Sequence, residues 1–261
     1  MPFTLAHVAA ALPFRRTRLE FSALVIGCCA PDFPYFLFLM PQGFYGHTLP
    51  GMFVFDLPVG LVALWLFHAY LKQPLRIFLP EGIRRRLRAG TNAFSFLPPA
   101  RLALIVLSVL IGSATHILWD SFTHRTFWPY RHWRFLQLAV RLPMLGRVEM
   151  YKLLQYGSTL FGIGVLAIWA WLWYRATEPV ESPAAEPFTA AQRRAIVAIL
   201  PVFAICCGIF FACETIGIPK EATPVIHFAA NAVITGISSF VFGLLACGLI
   251  LRKRAVSRRL I

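Results

Sequence analysis

His116, Asp120 and His124 recur at intervals of four. On an α-helix that spacing stacks side chains on one face, drifting by about 40° per step. Imidazole nitrogens and carboxylate oxygens bind Zn²⁺ and similar divalent ions. The same groups pass protons near neutral pH. The trio therefore suits metal or acid–base chemistry. It closes an apolar run that begins near Leu102, and ionisable groups at membrane depth are costly enough to require partners.

Candidate partners occur in three other stretches. Asp32 lies in Ala30-Pro31-Asp32-Phe33-Pro34, which interrupts an apolar run over 21–40. Two prolines around an aspartate predict irregular backbone, tolerated at that depth only where protein or water covers it. His47 lies in the short uncharged loop that follows, and Asp56 near the start of the next apolar run. His7 belongs to an apolar N-terminal stretch too short to span a bilayer. Thr4 is placed to cap a helix there, running to about Leu12. Folded back as a re-entrant hairpin, this helix would aim His7 at the same region. Together these groups could hold one ion, or two bridged by a carboxylate.

The elements that must position them are membrane helices. Of 261 residues, 58% are hydrophobic and 14% charged, and mean hydropathy is +0.67. Soluble domains average about 25% charged residues, so a soluble globule is excluded. Apolar runs at 21–40, 52–71, 102–122, 157–174, 195–213 and 228–251 predict an all-α polytopic bundle. It has about five full transmembrane helices, one interrupted run and a short N-terminal helix. Residues 1–175 form the part that carries chemistry. Residues 176–194, with Pro179, Pro183 and Pro187, are a linker, and 195–261 supply two final spans and a basic tail.

The chain carries 25 Lys and Arg against 11 Asp and Glu, a net +14. In a membrane protein that excess marks cytoplasmic loops and anionic headgroups. The arginines are scattered and match no nucleic-acid recognition motif, so lipids, not nucleic acids, are the expected partners. Loop charges place the 15–18 tip, the 72–101 connector and the tail in the cytoplasm, and the candidate residues near the outer face of the inner membrane. The aromatic, arginine-rich connector over 123–156 then lies outside, against the charge rule, and suits the headgroup interface. The six cysteines all sit in apolar runs, which argues against a disulfide framework.

Several motifs together carry a resemblance. They are Met1-Pro2-Phe3-Thr4-x-x-His7, Ala30-Pro31-Asp32-Phe33-Pro34-Tyr35, Gly46-His47-Thr48, Phe55-Asp56-Leu57-Pro58, Thr115-His116-x-x-Trp119-Asp120-Ser121-Phe122-Thr123-His124 and Gln155-Tyr156-Gly157-Ser158. As a set they resemble a bacterial integral-membrane family, domain of unknown function 4184, which supplies no established activity. More distantly, the order His, Asp, His, His-x-x-x-Asp is similar to zinc-dependent phospholipase C, P1 nuclease and membrane-bound metal-dependent hydrolases. That similarity implies that His7, Asp32, His47, His116 and Asp120 are metal ligands. Those soluble enzymes hold three metals with further downstream ligands, and this chain shows no equivalent set, so one or two ions are implied.

The expectation is a divalent-metal-dependent hydrolase, with zinc as the metal and a phosphoester as substrate. His124 or Asp56 would serve as general base or ligand orienter. Arg125, Arg131 and His132 would receive the phosphate. The alternative is a non-catalytic membrane protein whose His/Asp cluster is a structural polar or metal site. A small transporter is a third reading; the interrupted run favours it, but no matching second break exists.

Overall fold

The computed structural model describes residues 3–39, 45–87, 94–143, 146–180, 189–218 and 222–257. Met1, Pro2, Arg88, Pro183, Pro187, Arg258 and Arg259 lie outside the described residues. Helices dominate. In chain order they are α1 (Thr4–His7), extended by a 3₁₀ segment (Val8–Arg16), α2 (Phe21–Gly27), a 3₁₀ turn (Ala30–Asp32) and α3 (Phe33–Phe38). Then come α4 (Leu49–Gly51), a π segment (Met52–Asp56), α5 (Leu57–Leu66), a second π segment (Phe67–Leu71), α6 (Lys72–Phe78) and α7 (Glu81–Arg84). After α8 (Pro99–Ser121) follow α9 (Trp128–His132), α10 (Arg134–Gln137), strands β1 (Ala139–Leu142) and β2 (Gly146–Glu149), α11 (Met150–Ala176), α12 (Ala190–Ile216) and α13 (Ala222–Ser257).

Six helical stretches are long and apolar enough to cross a membrane: Phe21–Phe38, Leu49–Arg76, Pro99–Ser121, Met150–Ala176, Ala190–Ile216 and Val225–Lys253. The first is the interrupted run. The last three exceed the predicted spans at both ends because their polar flanks continue the same helix. The chain is an all-helical, multi-pass bundle, and among the described residues its only sheet is the antiparallel β1–β2 hairpin. That hairpin falls inside what the sequence suggested was plain connector.

Two compact units interleave along the chain. One comprises Met1–Phe33, Phe44–Val62 and Phe96–Ala176, and it contains every candidate site residue. Its centre is the packing of α2 on α8. Gly27 meets the backbone of Val109, and Gly112 meets the backbone of Leu24 and Cys28, closely enough that a Cβ at either would collide with main chain. Small residues let membrane helices approach in this way. Ala11, Leu24 and Cys28 form a buried cluster covered by Phe14, Phe21 and Ile111. The amide of Glu20 donates to Ser108 Oγ (2.9 Å). On the other side Ala6 packs on Gly162 of α11, and the Phe3 amide donates to Thr159 Oγ1 (3.1 Å).

The second unit comprises Pro34–Gly43, Ala63–Ser95 and Thr177–Ile261. It is built on α12 and α13, which approach at Gly208 against Ala232 and Gly243 against Leu200. A capping box between Thr189 and Gln192 starts α12, and Ser238 Oγ donates to the Phe36 carbonyl (2.8 Å).

Candidate metal centre

The break after α2 creates the site. In a continuous helix the Cys28 carbonyl would accept from the amide of Asp32. Pro31 has no amide hydrogen, and the chain tightens so that the Asp32 amide donates to Cys29 instead (3.1 Å). The Cys28 carbonyl is released and accepts from His116 Nδ1 (2.7 Å). A carbonyl only accepts, so Nδ1 carries a hydrogen and Nε2 is the nitrogen left to face the carboxylates. An orienting bond of this kind is characteristic of metal-ligating histidines. The 3₁₀ turn also carries Asp32 into the interior, where its Oδ2 accepts from Thr4 Oγ1 (2.6 Å). Thr4 therefore does not cap α1; its hydroxyl is drawn to the buried carboxylate.

His47 is held by the turn before α4. Thr48 Oγ1 donates to the Tyr45 carbonyl (3.0 Å) and accepts from the Gly51 amide (3.0 Å). Gly46 lies so near Pro31 that a Cβ would clash with its backbone. Asp56 backs the same turn. The site a Cβ would take on Gly46 is 3.0 Å from Asp56 Oδ1, and Asp56 Oδ2 accepts from Ser113 Oγ of α8. Asp56 sits at the end of a π segment, a distortion frequent at functional sites.

The side chains converge on Asp120. His47 Nε2 is 3.4 Å from Asp32 Oδ1 and 3.4 Å from Asp120 Oδ2. His116 Nε2 is 3.6 Å from Asp32 Oδ1 and 3.5 Å from Asp120 Oδ2. These separations are long for charge-assisted hydrogen bonds, which run about 2.7–2.9 Å. They lie within about 0.3 Å of the edges of a tetrahedron around an ion with ligand bonds of about 2.0–2.1 Å, which are about 3.3–3.4 Å. Asp32 Oδ1, His116 Nε2 and Asp120 Oδ2 are buried and make no hydrogen bond. Such atoms would be costly without an occupant that satisfies them. The donor set thus fits a divalent ion.

His7 adds a fifth donor. Its ring stacks on His116 with centroids 3.8 Å apart, and its buried Nε2 lies 3.4 Å from Asp120 Oδ1. Asp120 thus turns one oxygen to His47 and His116 and the other to His7. The geometry contains two overlapping donor groups, His7–His116–Asp120 and Asp32–His47–His116. Burial, followed by the charge of His116, pushes the His7 imidazole down to about 4, so its ring is neutral and able to coordinate. His47 goes the other way. Burial lowers it, but the two carboxylates outweigh burial and raise it to about 10. Without an ion His47 therefore holds a proton, and an ion must displace it. Metal uptake at neutral pH is expected to release that proton, so apparent affinity should rise about tenfold per pH unit below 10. Calorimetric titration in buffers of different ionisation enthalpy would measure both.

His124 stands at the rim. Its side chain is 26% exposed, against 2% for His7, 10% for His47 and 0% for His116. Its Nδ1 donates to the Asp120 carbonyl (3.1 Å), which leaves the lone pair on Nε2. Burial lowers its pKa, partly offset by Asp120, so the ring is neutral near pH 7.

The chain belongs to the DUF4184 family. The model of that domain of unknown function matches residues 1–249, and so spans every residue of the centre. No curated protein and no solved structure matches the chain. The more distant resemblance to phospholipase C and P1 nuclease therefore rests on motif order alone.

The other candidates of this DUF4184 chain lie further out. Arg125 donates to Glu149 and lies over the rings of Tyr130 and Tyr151, tying β2 to the segment after α8. It does not pair with Asp120. His132 stacks on Trp128 and donates to its carbonyl. Arg131 is exposed beside it. Three supporting groups were not legible in sequence: the Cys28 carbonyl, Ser113 and Thr123, whose hydroxyl reaches Asp120 Oδ1 at 3.4 Å. Thr4 had a signal in its place three residues before His7. Removing its hydroxyl with Thr4→Val should weaken metal binding about 10–100-fold while leaving the helices intact, which metal-competition titration and circular dichroism would check.

Proposed function

We propose that this DUF4184 protein is a metal-dependent phosphoester hydrolase of the inner membrane, with its site near the outer face. The observation that carries the reading is the set of buried imidazole and carboxylate atoms at tetrahedral edge lengths, with His7 as a surplus donor. A saturated structural zinc site needs four donors. Here a fifth faces the second oxygen of Asp120, where the described residues supply too few groups to fill a coordination sphere. A divalent ion, most simply zinc given the nitrogen and oxygen donors, would act there as a Lewis acid and acidify a water to near neutrality.

Hydrolysis joins a water oxygen to phosphorus and breaks the ester P–O bond. His124 would accept the proton of that water on Nε2 and return it to the departing alcohol. Asp120 orients His124 through its carbonyl. Asp56 is a positioning residue: through Ser113 and Gly46 it braces the turn that carries His47. Arg131, with His132 beside it, is available to a substrate phosphate. Arg125 shapes the same surface through Glu149.

The burial of Asp32, His116 and Asp120 favours a second reading, a structural metal site that fixes helix register. Turnover separates the two. Full-length protein in detergent, loaded with zinc, should hydrolyse bis(p-nitrophenyl) phosphate. Chelation and His116→Ala should both abolish the reaction. Stoichiometric metal with no turnover of phosphomonoesters or phosphodiesters would leave the structural reading in possession.

A further inference from the structure

A cavity of about 560 Å³ adjoins the metal centre, a size that holds a drug-sized ligand or its equivalent. Its walls come from the end of α8 and the turn after it (Trp119, Phe122, Thr123), from the connector (Trp133, Leu136) and from Ser158 of α11. Its lining is almost wholly apolar. We infer that it holds an acyl chain of an anionic phospholipid whose headgroup is the substrate of the centre; this rests on the hydrolase reading above.

Three observations choose that occupant. First, α8 and α11 are long and apolar enough to cross a membrane, and Leu118 on the cavity wall and Leu160 and Phe161 of α11 are exposed and apolar. Hydrocarbon, not water, is the medium from which such a cavity fills. Second, the cavity shares its wall with the site. Thr123 both lines it and reaches the Asp120 carboxylate. Trp119 lines it and meets His7 edge-on at 6.3 Å. A chain seated there would bring its headgroup within one side chain of the donors. Third, the connector that closes the cavity is basic. Residues 123–156 carry six Lys and Arg (Arg125, Arg131, Arg134, Arg141, Arg147, Lys152) against Glu149 alone. Trp133 on the cavity wall is followed directly by exposed Arg134. A basic, aromatic rim over an apolar slot complements an anionic headgroup with its tail inserted.

Photolabelling tests this. Full-length protein in mixed micelles would receive phosphatidylglycerol bearing a diazirine on one acyl chain, with labelled peptides read by mass spectrometry. The expected adducts fall on Trp119, Phe122 and Trp133, and disappear in both Ser158→Phe and Leu154→Trp, which fill the slot from α11. Thermal melting of the two variants would confirm that they fold. Adducts confined to outward residues such as Leu160 and Phe161, or cavity adducts that persist in both filled variants, would overturn the proposal. Soluble-ester turnover keeps the two claims apart. Turnover without cavity labelling sinks the acyl site alone. Cavity labelling without turnover of any phosphodiester sinks the hydrolase reading and makes the lipid a resident, not a substrate.

Discussion

Replacing Asp120 with alanine should abolish metal binding and cost more stability than any other single change at the centre. Asp120 lies within 3.6 Å of His7, His47, His116 and His124, so one carboxylate organises four imidazoles. Removing it deletes an anionic ligand and leaves His47 and His116 with Asp32 as their carboxylate at 3.4–3.6 Å. Supporting groups around metal sites contribute about 10–100-fold in affinity, and loss of a ligand shared by both donor groups should exceed that. In the metal-free state the loss is also large, because His47 keeps its proton between Asp32 and Asp120. Breaking one side of a buried charge pair costs about 3–5 kcal/mol. Asp120→Asn preserves the volume and serves as the folded companion. Wild type should melt at a lower temperature after chelation. Asp120→Asn should melt at the same temperature with or without chelator.

The second large effect lies on the same face of α8, one turn before His116. Gly112→Val should destabilise the protein near the top of the roughly 1–3 kcal/mol that overpacking costs. The clash is with backbone atoms of Leu24, Gly27 and Cys28, which cannot rotate away as a side chain would. α2 must then move off α8, and with it the Cys28 carbonyl that holds His116. Metal affinity should therefore fall together with stability, although Gly112 touches no ligand. Gly164→Val, on the face of α11 where nothing lies within 4 Å, is the control and should change neither. Denaturation in detergent paired with metal titration would separate the two variants.

How much of this was legible depended on whether a feature is local. The His116–Asp120 pair and the proline-flanked Asp32 are local patterns, and both are where the spacing put them. The apolar runs became helices because length and hydropathy suffice to specify a membrane span. The partners that orient the ligands are not local. Nothing in the spacing of α8 says that Ser113 meets Asp56, 57 residues away, or that His116 finds a carbonyl 88 residues away. Thr4 shows the same limit from the other side. As an N-terminal threonine it looks like a cap, but a buried carboxylate is a stronger acceptor than the first-turn amides are donors. Arg125 follows Asp120 by only five residues. Once the chain turns out of α8 at Phe122, Arg125 lies beside β2 and takes Glu149, while Asp120 faces the histidines.

X-ray absorption at the zinc edge, on zinc-loaded protein, tests the central claim most directly. The centre described here gives a shell of nitrogen and oxygen only, at about 2.0–2.1 Å, with the outer scattering of two or three imidazoles and no sulfur. Cys28 and Cys29 lie in the same break as Asp32 and are both free thiols, so sulfur is a real competitor. A sulfur shell near 2.3 Å, or a spectrum unchanged by His116→Ala, would contradict the assignment of Asp32, His47, His116 and Asp120 as the ligands.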